Sequence, residues 1–376
     1  MTISIDTRTL QPGDTFIPLI GPRFDGHDFI DEALRKGARK ILNVKDIGQY
    51  AKRYRKKLSC RVIAVTGSVG KTTIKDMLSA ILGQKFQIAQ TQGNQNNEIG
   101  VPLTILRADS NTEILILELA MRQKGQIRYL SQIARPDVVV LTGVGRSHIQ
   151  FLKTTRNIAL AKSEIFRNPL QWEQKDRTAF IQFNSPHYKI LSKRALDGQF
   201  KVIPYEGQNR SDQNLSCCYI VGRYFGLTDQ EIKEGLNVYK PSEHRLNTIK
   251  CRDNITLIDD TYNASPEGVQ YALDYIKTLT GRKVIVLGDM CELGAHAFKA
   301  HEEIVELLIE CGVDIVFTFG KESSVIQSRD FYSCHFSKKD VMIKQIKNEL
   351  KRGDVVLVKG SRAMKMDEVV HAIQHS

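Results

Sequence analysis

A glycine-rich turn in the sequence VIAVTGSVGKTT, residues 62–73, combines the residue types that bind phosphate. An apolar β-branched run leads into the turn, and a stretch with helical spacing, IKDMLSAIL, follows it. At such a strand–turn–helix junction the backbone N–H groups and the helix dipole face an anion. Lys71 would then contact the β- and γ-phosphates of a nucleotide, and the Thr72 hydroxyl would hold Mg²⁺. The predicted loop residues are Gly67, Ser68, Val69, Gly70, Lys71, Thr72 and Thr73.

The loop departs from the full Walker pattern at one position, because Val65 stands where that pattern has a glycine. The departure leaves two interpretations open. The stretch is either a variant nucleotide loop tied to one chemistry or a strand and helix that only share the layout. We predict the nucleotide loop, because a chance match in the right structural context is uncommon.

Three further side chains stand where chemistry is expected. Glu118 ends the apolar run EILILE, and His148 follows the run PDVVVLTGV. In open α/β sheets ligands bind at the carboxyl ends of the strands, and a buried carboxylate needs a partner such as Mg²⁺. We therefore predict Glu118 as a metal ligand and His148 as a second one. For His148 taken alone, a core or capping role would be the better explanation, and Lys162 by default would be a surface lysine on a helix.

The elements that must position these residues alternate between apolar strands and helical stretches. RVIAVTG, EILILEL and PDVVVLTGV have the continuous apolar character of strands covered on both faces. KTTIKDMLSAIL, GQIRYLSQIA and TTRNIALAKSEIF have helical spacing. The alternation predicts an α/β fold with a parallel, doubly wound sheet. A second alternation follows YKPSEHRLN, with strands in NITLIDD, KVIVLGD, DIVFTFG and DVVLVKG.

The chain of 376 residues has room for three domains, which we place at residues 1–58, 59–240 and 241–376. The first is turn-rich and then helical, the second contains the phosphate loop, and the third contains the second alternation. Pro241 and Ser242 would form the hinge between the last two domains. Each domain would have its own apolar core, since 41% of the residues are hydrophobic.

Bulk composition excludes several classes of protein. No apolar run reaches the roughly 18 residues of a membrane span, and the first residues lack the layout of a signal peptide. Seven cysteines without a CxxC motif indicate neither a disulfide framework nor a zinc site, so we predict a cytoplasmic protein. The net charge of +12 suits anionic ligands such as nucleotides, but no nucleic-acid-binding motif accompanies it. Part of that charge lies in AKRYRKKLSCR, residues 51–61, which is best explained as a solvated helix face.

The motifs together resemble the Mur ligase family, whose ATP loop has the pattern TG-[ST]-x-GKTT and needs no glycine at position 65. The N-terminal stretch DTRTLQPGDTFIPLIGPRFDGHDFIDEALRKGA, residues 6–38, resembles that family's uridine-nucleotide-binding domain. The other stretches that carry the resemblance follow in order along the chain. They are TQGNQNNEIGVPLTIL (91–106), ELAMRQKGQI (118–127), RPDVVVLTGVGRSHI (135–149), DDTYNASPEGV (259–269), LGDMCELG (287–294) and VLVKGSRAMKM (356–366).

The resemblance implies a three-domain architecture with a small N-terminal α/β domain, a central P-loop ATPase domain and a C-terminal Rossmann-like domain. It implies an ATP-dependent amide ligase that adds D-alanyl-D-alanine to a UDP-N-acetylmuramoyl-tripeptide through an acyl phosphate. That reaction belongs to peptidoglycan precursor synthesis, and thus to cell wall biogenesis, cell shape and cell division. The implied cofactors are ATP and Mg²⁺, and we predict a monomer without nucleic-acid partners or a membrane span.

The resemblance also implies roles for particular residues. Catalysis would involve Lys71, Lys162, Glu118 and His148, with Thr72, Glu118 and His148 binding Mg²⁺; sister ligases carry a carbamoylated lysine at the position of Lys162. Beyond the loop, ATP would contact Asn96, Asn97, Arg245, Asp260, Tyr262 and Asn263. The substrates would contact Asp6, Arg8, Asp25, Gly26, His27, Lys359 and Ser361. From the residues alone, Asn263 could also be a helix cap and Arg245 a surface arginine.

The sequence departs from the family in three places. Ala120 replaces a glycine after the third central strand, which should matter little because alanine is small. The stretch EGQNRSDQNLS lacks the family's histidine, so only Asn214 can be matched there, and a β-rich stretch before it is missing. The linker between Gly37 and Arg61 is brief. These losses affect the regions that bind the UDP-linked peptide more than the ATP half.

Three other functions compete with the leading prediction. The shortened regions are compatible with a Mur-type ligase that uses a different acceptor. A non-catalytic ATP-binding relative is disfavoured, because Lys71, Thr72, Glu118, His148 and Lys162 are all present. A nucleotide kinase fits the C-terminal motifs less well than a ligase does.

Overall fold

The structure, a computed structural model, describes residues 3–21, 24–167 and 176–375. The chain divides into two compact units. The first comprises Met1–Gly143, Ala159–Glu206 and Gln213–Tyr239, and the second comprises Val144–Ile158, Gly207–Asp212 and Lys240–Ser376. Within the described ranges, no helix is both long and apolar enough to cross a bilayer.

A small N-terminal region opens the first unit. Its elements are β1 (Ile3–Ser4), β2 (Thr15–Phe16), β3 (Ile20–Gly21), β4 (Phe24–Asp25), α1 (Ile30–Arg35), β5 (Lys40–Ile41) and α2 (Ile47–Arg55). Strands β1, β2 and β5 form a parallel sheet in that order, and β3 pairs with β4 as an antiparallel hairpin. Leu10, Phe16 and Ala33 form its apolar cluster, which positions the residues predicted to bind substrate.

The centre of the first unit is a six-stranded sheet in which every strand runs parallel to its neighbours. Its strands are β6 (Arg61–Thr66), β7 (Ile88–Gln90), β8 (Ile114–Glu118), β9 (Val138–Leu141), β10 (Thr178–Gln182) and β11 (Lys201–Tyr205). The spatial order is β11-β10-β9-β6-β8-β7. The apolar runs predicted as strands are β6, β8 and β9, which lie side by side, so Gly67, Glu118 and Thr142 follow or end neighbouring strands.

Helices cover this sheet, which is why its strands are apolar along their whole length. They are α3 (Lys71–Leu82), α4 (Gly100–Arg107), α5 (Gln126–Ala134), α7 (Thr155–Lys162), α8 (Tyr188–Asp197), α9 (Arg210–Tyr224) and α10 (Asp229–Val238). The short helix α6 (Ile149–Leu152) belongs to the second unit. The apolar face of α3 packs on β6 and β8 through Ile74, Leu78 and Ile81. On α9, the adjacent Cys217 and Cys218 are both fully buried in this core.

The second unit is built on another six-stranded sheet, ordered β12-β13-β17-β14-β15-β16. Its strands are β12 (Asn247–Lys250), β13 (Thr256–Asp260), β14 (Lys283–Gly288), β15 (Ile315–Phe319), β16 (Tyr332–Phe336) and β17 (Val355–Lys359), and its principal helices are α11 (Pro266–Lys277), α12 (Ala297–Cys311), α13 (Lys339–Glu349) and α14 (Asp367–Gln374). Only the edge strand β12 is antiparallel to its neighbour among these described pairs. Ser265 caps α11 by accepting from the Gly268 N–H, so the alternative in which Asn263 is the cap is wrong.

The predicted fold class is therefore confirmed: both large sheets are parallel or nearly so and alternate with helices. Among the strands of the two large sheets, β7, β10, β11, β12 and β16 were not predicted. Tyr332–Phe336 has the sequence YSCHF, and Asn247–Lys250 has NTIK, so neither presents the continuous apolar pattern of a central strand. Edge position explains this, because an edge strand exposes more of its side chains to solvent.

Candidate active site

The phosphate loop lies between β6 and α3, as predicted. Gly70 precedes α3 with φ +86°, a conformation that favours glycine, and Gly67 has φ +153°. The loop is fixed to the neighbouring strand end, since the Ser68 N–H donates to the Gly143 carbonyl at 3.0 Å and the Thr142 hydroxyl donates to the Val69 carbonyl at 2.6 Å. The first N–H groups of α3 are thereby held in the arrangement that binds an anion.

Replacing Gly67 with alanine should damage this loop. A Cβ there would lie 1.9 Å from the Thr142 hydroxyl oxygen, on a backbone that L-residues rarely adopt. We expect a loss of about 1–3 kcal/mol in stability from overpacking, and weaker ADP binding, both measurable by thermal unfolding with and without ADP. Gly125→Ala is the matched control, because Gly125 has φ +95° but open space around its Cβ position. A variant as stable as the wild type and unchanged in ADP affinity would contradict the loop assignment.

Two lysines converge on the main chain of the loop. Lys71 Nζ donates to the Gly67 and Ser68 carbonyls at 3.0 and 3.2 Å, and Lys162 Nζ donates to the Gly67 carbonyl at 2.6 Å. Lys162 is only 2% exposed, so its interpretation as a surface lysine is wrong. Burial and then the positive charge of Lys71 hold the pKa of Lys162 well below its usual value, while Glu118 opposes that shift. A neutral amine at this position is a nucleophile.

Glu118 ends β8 and is the most constrained carboxylate of the site. Its Oε2 accepts from the Thr72 hydroxyl at 2.7 Å, and its Oε1 accepts from the Asn96 side-chain amide at 2.8 Å. Glu118 is 1% exposed and Thr72 2% exposed. The predicted partners Thr72 and Glu118 are thus brought into direct contact, and Asn96, predicted for ATP, joins them.

The donor set at Glu118 suits Mg²⁺, because a carboxylate and a hydroxyl are the hard oxygen ligands that this ion prefers. In the part of the chain that the structure describes, no cluster of three or more His, Cys, Asp or Glu side chains could hold a metal alone. Mg²⁺ is usually held by one or two protein oxygens, and phosphate oxygens and water complete its ligands.

A buried side-chain amide without a partner lies beside the loop. Asn214, on α9, is 3% exposed, and its side-chain oxygen lies 3.1 Å from the position that a Cβ on Gly70 would take. Its Nδ2 is buried and has no hydrogen-bond partner among the described residues. An amide donor left unpaired beside a phosphate loop fits a nucleotide acceptor, because buried polar groups are otherwise satisfied.

His148 belongs to the second unit, whereas Thr72 and Glu118 belong to the first. It has φ +66°, precedes α6, and its Nδ1 lies 2.6 Å from a carboxylate oxygen of Glu292, which also has φ +66°. Both residues are thus non-glycine residues in the left-handed region, and residues with such strained backbones cluster at functional sites. Sequence reasoning did not single out Glu292, although its place in LGDMCELG was a usable signal.

In the C-terminal segment of the second unit, the four residues predicted to contact ATP form two groups. The Arg245 guanidinium lies over the Tyr262 ring, 3.9 Å from its centroid. Lys359 Nζ forms a buried ion pair with Asp260 and donates to the Asn263 carbonyl at 2.9 Å. Lys359, predicted to contact substrate, is thus engaged by two residues predicted to contact ATP.

The other predicted residues have local partners. Asn97 accepts from the Gly100 N–H at 2.9 Å at the start of α4, and the Ser361 hydroxyl accepts from the Cys291 N–H at 2.7 Å. Arg8 donates to Asp6 and lowers the pKa of that carboxyl to about 2. Asp25 accepts from the backbone N–H of His27 and lies 2.7 Å from its ring nitrogen, while Gly26 donates to the Leu19 carbonyl. Thr73 lies in the first turn of α3.

Three descriptions of protein families match consecutive parts of the chain. The Mur ligase family catalytic domain matches residues 2–64, the Mur ligase middle domain matches 65–221, and the Mur ligase glutamate ligase domain matches 244–362. The UDP-N-acetylmuramoyl-tripeptide--D-alanyl-D-alanine ligase of Bacillus subtilis is 34% identical over 98% of this chain and 92% of its own length. The chain belongs to the Mur ligase family. The ligase of the same name from Escherichia coli is 31% identical over 100% of this chain and 94% of its own length.

Solved structures of Mur ligases share the fold. The ligase MurF from Thermotoga maritima in complex with ADP has a TM-score of 0.84 and 29% identity, and the similarity covers 100% of this chain and 97% of that one. MurF from Acinetobacter baumannii has a TM-score of 0.88 at 24% identity, over 100% of this chain and 93% of that one, which bears on the fold alone. The predicted family, its three-domain Mur ligase architecture and the ATP-dependent ligase activity are confirmed.

The length of the alignment with a relative shows how much shorter this chain is. The alignment with the Bacillus subtilis Mur ligase runs over 421 positions, 45 more than the 376 residues of this chain. At least that many positions therefore carry residues in the relative that have no counterpart here. The central sheet nevertheless has all six of its strands in the described region, and α9 still brings Asn214 to the loop.

Proposed function

We propose that this chain forms the amide bond between a UDP-N-acetylmuramoyl-tripeptide and D-alanyl-D-alanine. An oxygen of the substrate carboxylate attacks the γ-phosphorus of ATP, which gives an acyl phosphate and ADP. The dipeptide amine then attacks the acyl carbon, phosphate leaves, and the amine loses a proton. The observation that carries the proposal is the contact of Thr72 and Asn96 with Glu118 beside a glycine loop bonded by two lysines.

The residues of the chain would act mainly by positioning and electrostatics. The N–H groups of the loop and the start of α3 would bind phosphate oxygens, and the Lys71 ammonium would exchange its carbonyl partners for them. Both steps concentrate negative charge, so donors that are already oriented lower the barrier without reorganising. Asn214 Nδ2 would donate to the nucleotide. The rigid strand ends would fix the geometry of attack.

Thr72 and Glu118 would hold one Mg²⁺, and His148 a second. When bound, the ions neutralise phosphate charge and orient the γ-phosphate. The role of Asn96 is to fix the Glu118 carboxylate, because its amide donates to the oxygen that Thr72 does not contact. Glu292 would orient the His148 ring through their close contact.

We also propose that Lys162 carries a carbamate. Its nitrogen would attack the carbon of CO₂, an N–C bond would form, and one proton would leave the nitrogen. Burial favours the neutral amine that this step needs, and the product supplies the anion that a metal site requires.

After incubation with ¹³C-bicarbonate, we expect a protein-bound carbamate signal by ¹³C NMR that Lys162→Met lacks. Lys85→Met should keep it, because Lys85 donates to the Gly226 carbonyl beyond the C-terminal end of α3. An equal signal in wild type and Lys162→Met would contradict the carbamate.

The remaining predicted contacts complete the proposal. Arg245, stacked on Tyr262, would contact the nucleotide, and the buried pair of Asp260 and Lys359 would support Asn263. Asp6, Arg8, Asp25, Gly26 and His27 would bind the UDP part, Asn97 the nucleotide or the acceptor, and Ser361 the dipeptide. Three domains at 1–58, 59–240 and 241–376, a monomeric state and a cytoplasmic location belong to the same proposal.

The deciding experiment follows phosphate release with ATP, Mg²⁺ and UDP-N-acetylmuramoyl-tripeptide, with and without D-alanyl-D-alanine. We expect dipeptide-dependent phosphate release and a product heavier by the dipeptide residue in mass spectrometry. Binding of ATP with no such product would overturn the substrate assignment.

A second candidate, a Mur-type ligase with a different acceptor, is favoured by the missing positions described above. The same phosphate-release assay with a panel of amine acceptors separates the two. Release that depends on another amine, and not on D-alanyl-D-alanine, would select this second function.

A further inference from the structure

Lys75 is a buried lysine to which the mechanism above gives no role. It lies on α3, three residues after Thr72, and is only 2% exposed. Its Nζ donates to the Thr91 carbonyl at 2.9 Å and lies 2.5 Å from a carboxylate oxygen of Asp76. A buried ammonium is costly, and a methionine or leucine would fill the same volume without that cost. Packing alone therefore does not explain a lysine at this position.

The partner of Lys75 leads directly to Glu118. Thr91 follows β7, and its N–H donates to the Ile116 carbonyl at 3.0 Å, which extends the pairing of β7 with β8. The next donor on β8, the Glu118 N–H, meets the Thr91 hydroxyl oxygen at 3.0 Å. Thr91 thus contacts Glu118 through its side chain and Lys75 through its carbonyl. A single residue, Thr91, therefore links Lys75 to Glu118.

Thr91 also begins the segment that delivers Asn96. At one end of the segment from Thr91 to Asn96, the Thr91 hydroxyl accepts from the Glu118 N–H at the end of β8. At the other end, the Asn96 carbonyl accepts at 2.9 Å from the N–H of Ala120, two residues after β8. The Asn96 amide then donates to the Glu118 carboxylate. Anchoring Thr91 to α3 therefore fixes both the backbone of Glu118 and one of the two donors to its carboxylate.

We propose that Lys75 is a positioning residue for the metal site, which ties α3 to the Thr91–Asn96 segment so that Thr72 and Asn96 meet on Glu118. The proposal rests on the proposed Mg²⁺ role of Glu118. Residues outside the ligand shell that orient ligands typically change metal affinity 10–100-fold when mutated. A lysine that only filled the core would change stability without a specific effect on the metal.

The test measures Mn²⁺ binding by electron paramagnetic resonance in the presence of saturating ADP, and ADP binding without metal by calorimetry. We expect Lys75→Met to bind Mn²⁺ about 10–100-fold more weakly, with metal-free ADP affinity within about twofold of wild type. Thr91→Val removes the acceptor of the Glu118 N–H and should show the same split, while Thr91→Ser keeps the hydroxyl and should restore Mn²⁺ binding. Thr91→Val leaves the Lys75 contact in place and tests the second link, from Thr91 to Glu118, on which the role of Lys75 depends. If Lys75→Met does not fold, normal Mn²⁺ binding by Thr91→Val still overturns the proposal.

Two reference variants make each outcome decisive. Lys85→Met removes a lysine-to-carbonyl contact from the C-terminal side of α3 and should bind Mn²⁺ normally. Glu118→Gln removes the proposed ligand and should lose Mn²⁺ binding. If Glu118→Gln loses Mn²⁺ while Lys75→Met and Thr91→Val do not, the role of Lys75 is overturned and the metal site stands. If none of them affects Mn²⁺ binding, or if Lys75→Met weakens metal-free ADP binding equally, the inference also fails.

Discussion

Lys71→Ala should lower ligase turnover by about 10²–10³-fold, the cost of removing one oriented donor from a transition-state site. The ammonium already lies on the loop, 3.0 Å from the Gly67 carbonyl oxygen and 3.2 Å from that of Ser68, so little movement would bring it to a phosphate. Steady-state phosphate release with both substrates measures the effect. The variant should remain folded, because Lys162 donates to the same Gly67 carbonyl.

The controls for this prediction separate charge from position. Lys71→Arg keeps the positive charge and should retain more turnover than the alanine variant, whereas Lys189→Ala, an exposed lysine on α8, should leave turnover unchanged. Lys71→Ala should also relieve the charge that depresses the pKa of Lys162, so the amine would be protonated to a greater extent. Turnover of Lys71→Ala near that of the wild type would remove the central assignment.

Glu118→Ala should weaken the dependence of turnover on Mg²⁺, raising the concentration needed for half-maximal rate by at least about 10–100-fold. The carboxylate is the acidic oxygen donor that meets Thr72, and both side chains are buried where solvent cannot replace them. Its loss leaves the Thr72 hydroxyl and the Asn96 amide without their acceptor, so some loss of stability should accompany the effect. A Mg²⁺ titration of phosphate release, together with a thermal unfolding curve, records both.

Glu113→Ala is the matched control for Glu118→Ala. Glu113 lies just before the same strand, but it accepts from the Gln87 N–H at the opposite end and is exposed. Its Mg²⁺ titration should coincide with that of the wild type. A Glu118→Ala titration that also coincided with the wild type would rule out the ligand role of the carboxylate.

The fold could be predicted from the sequence where the pattern is strongest. The apolar runs around Val62 and Ile114 cannot be exposed on either face, so they require a covered parallel sheet, and the structure has one. The helix α3 starts at Lys71 because Gly70 supplies a left-handed residue and the apolar spacing begins there. Edge strands such as β12 and β16 escaped prediction because none of their side chains is fully buried, so they lack the apolar pattern of a central strand.

In the candidate site, only the residues with a local sequence signal could be predicted. The sequence pointed to Lys71, Thr72 and Glu118, because a phosphate loop and a strand-end acid are local signals. It did not reveal that Lys162 is buried or that Thr142 anchors the loop, since both depend on contacts between segments distant in the chain. The outer residues Thr91 and Lys75 carry no local signal at all, because a threonine and a lysine on a helix are ordinary in any protein.

The two adjacent cysteines of α9 allow opening of the first unit to be followed by thiol labelling. Cys217 and Cys218 are fully buried, and burial raises the pKa of both thiols, so neither offers the thiolate that reacts with labelling reagents. Their modification then requires the central sheet to open, whereas the exposed Cys291 of the second unit should react first. The labelling rate of the pair therefore reports how often this region opens. A nucleotide bound at the neighbouring loop should stabilise the closed state and lower that rate.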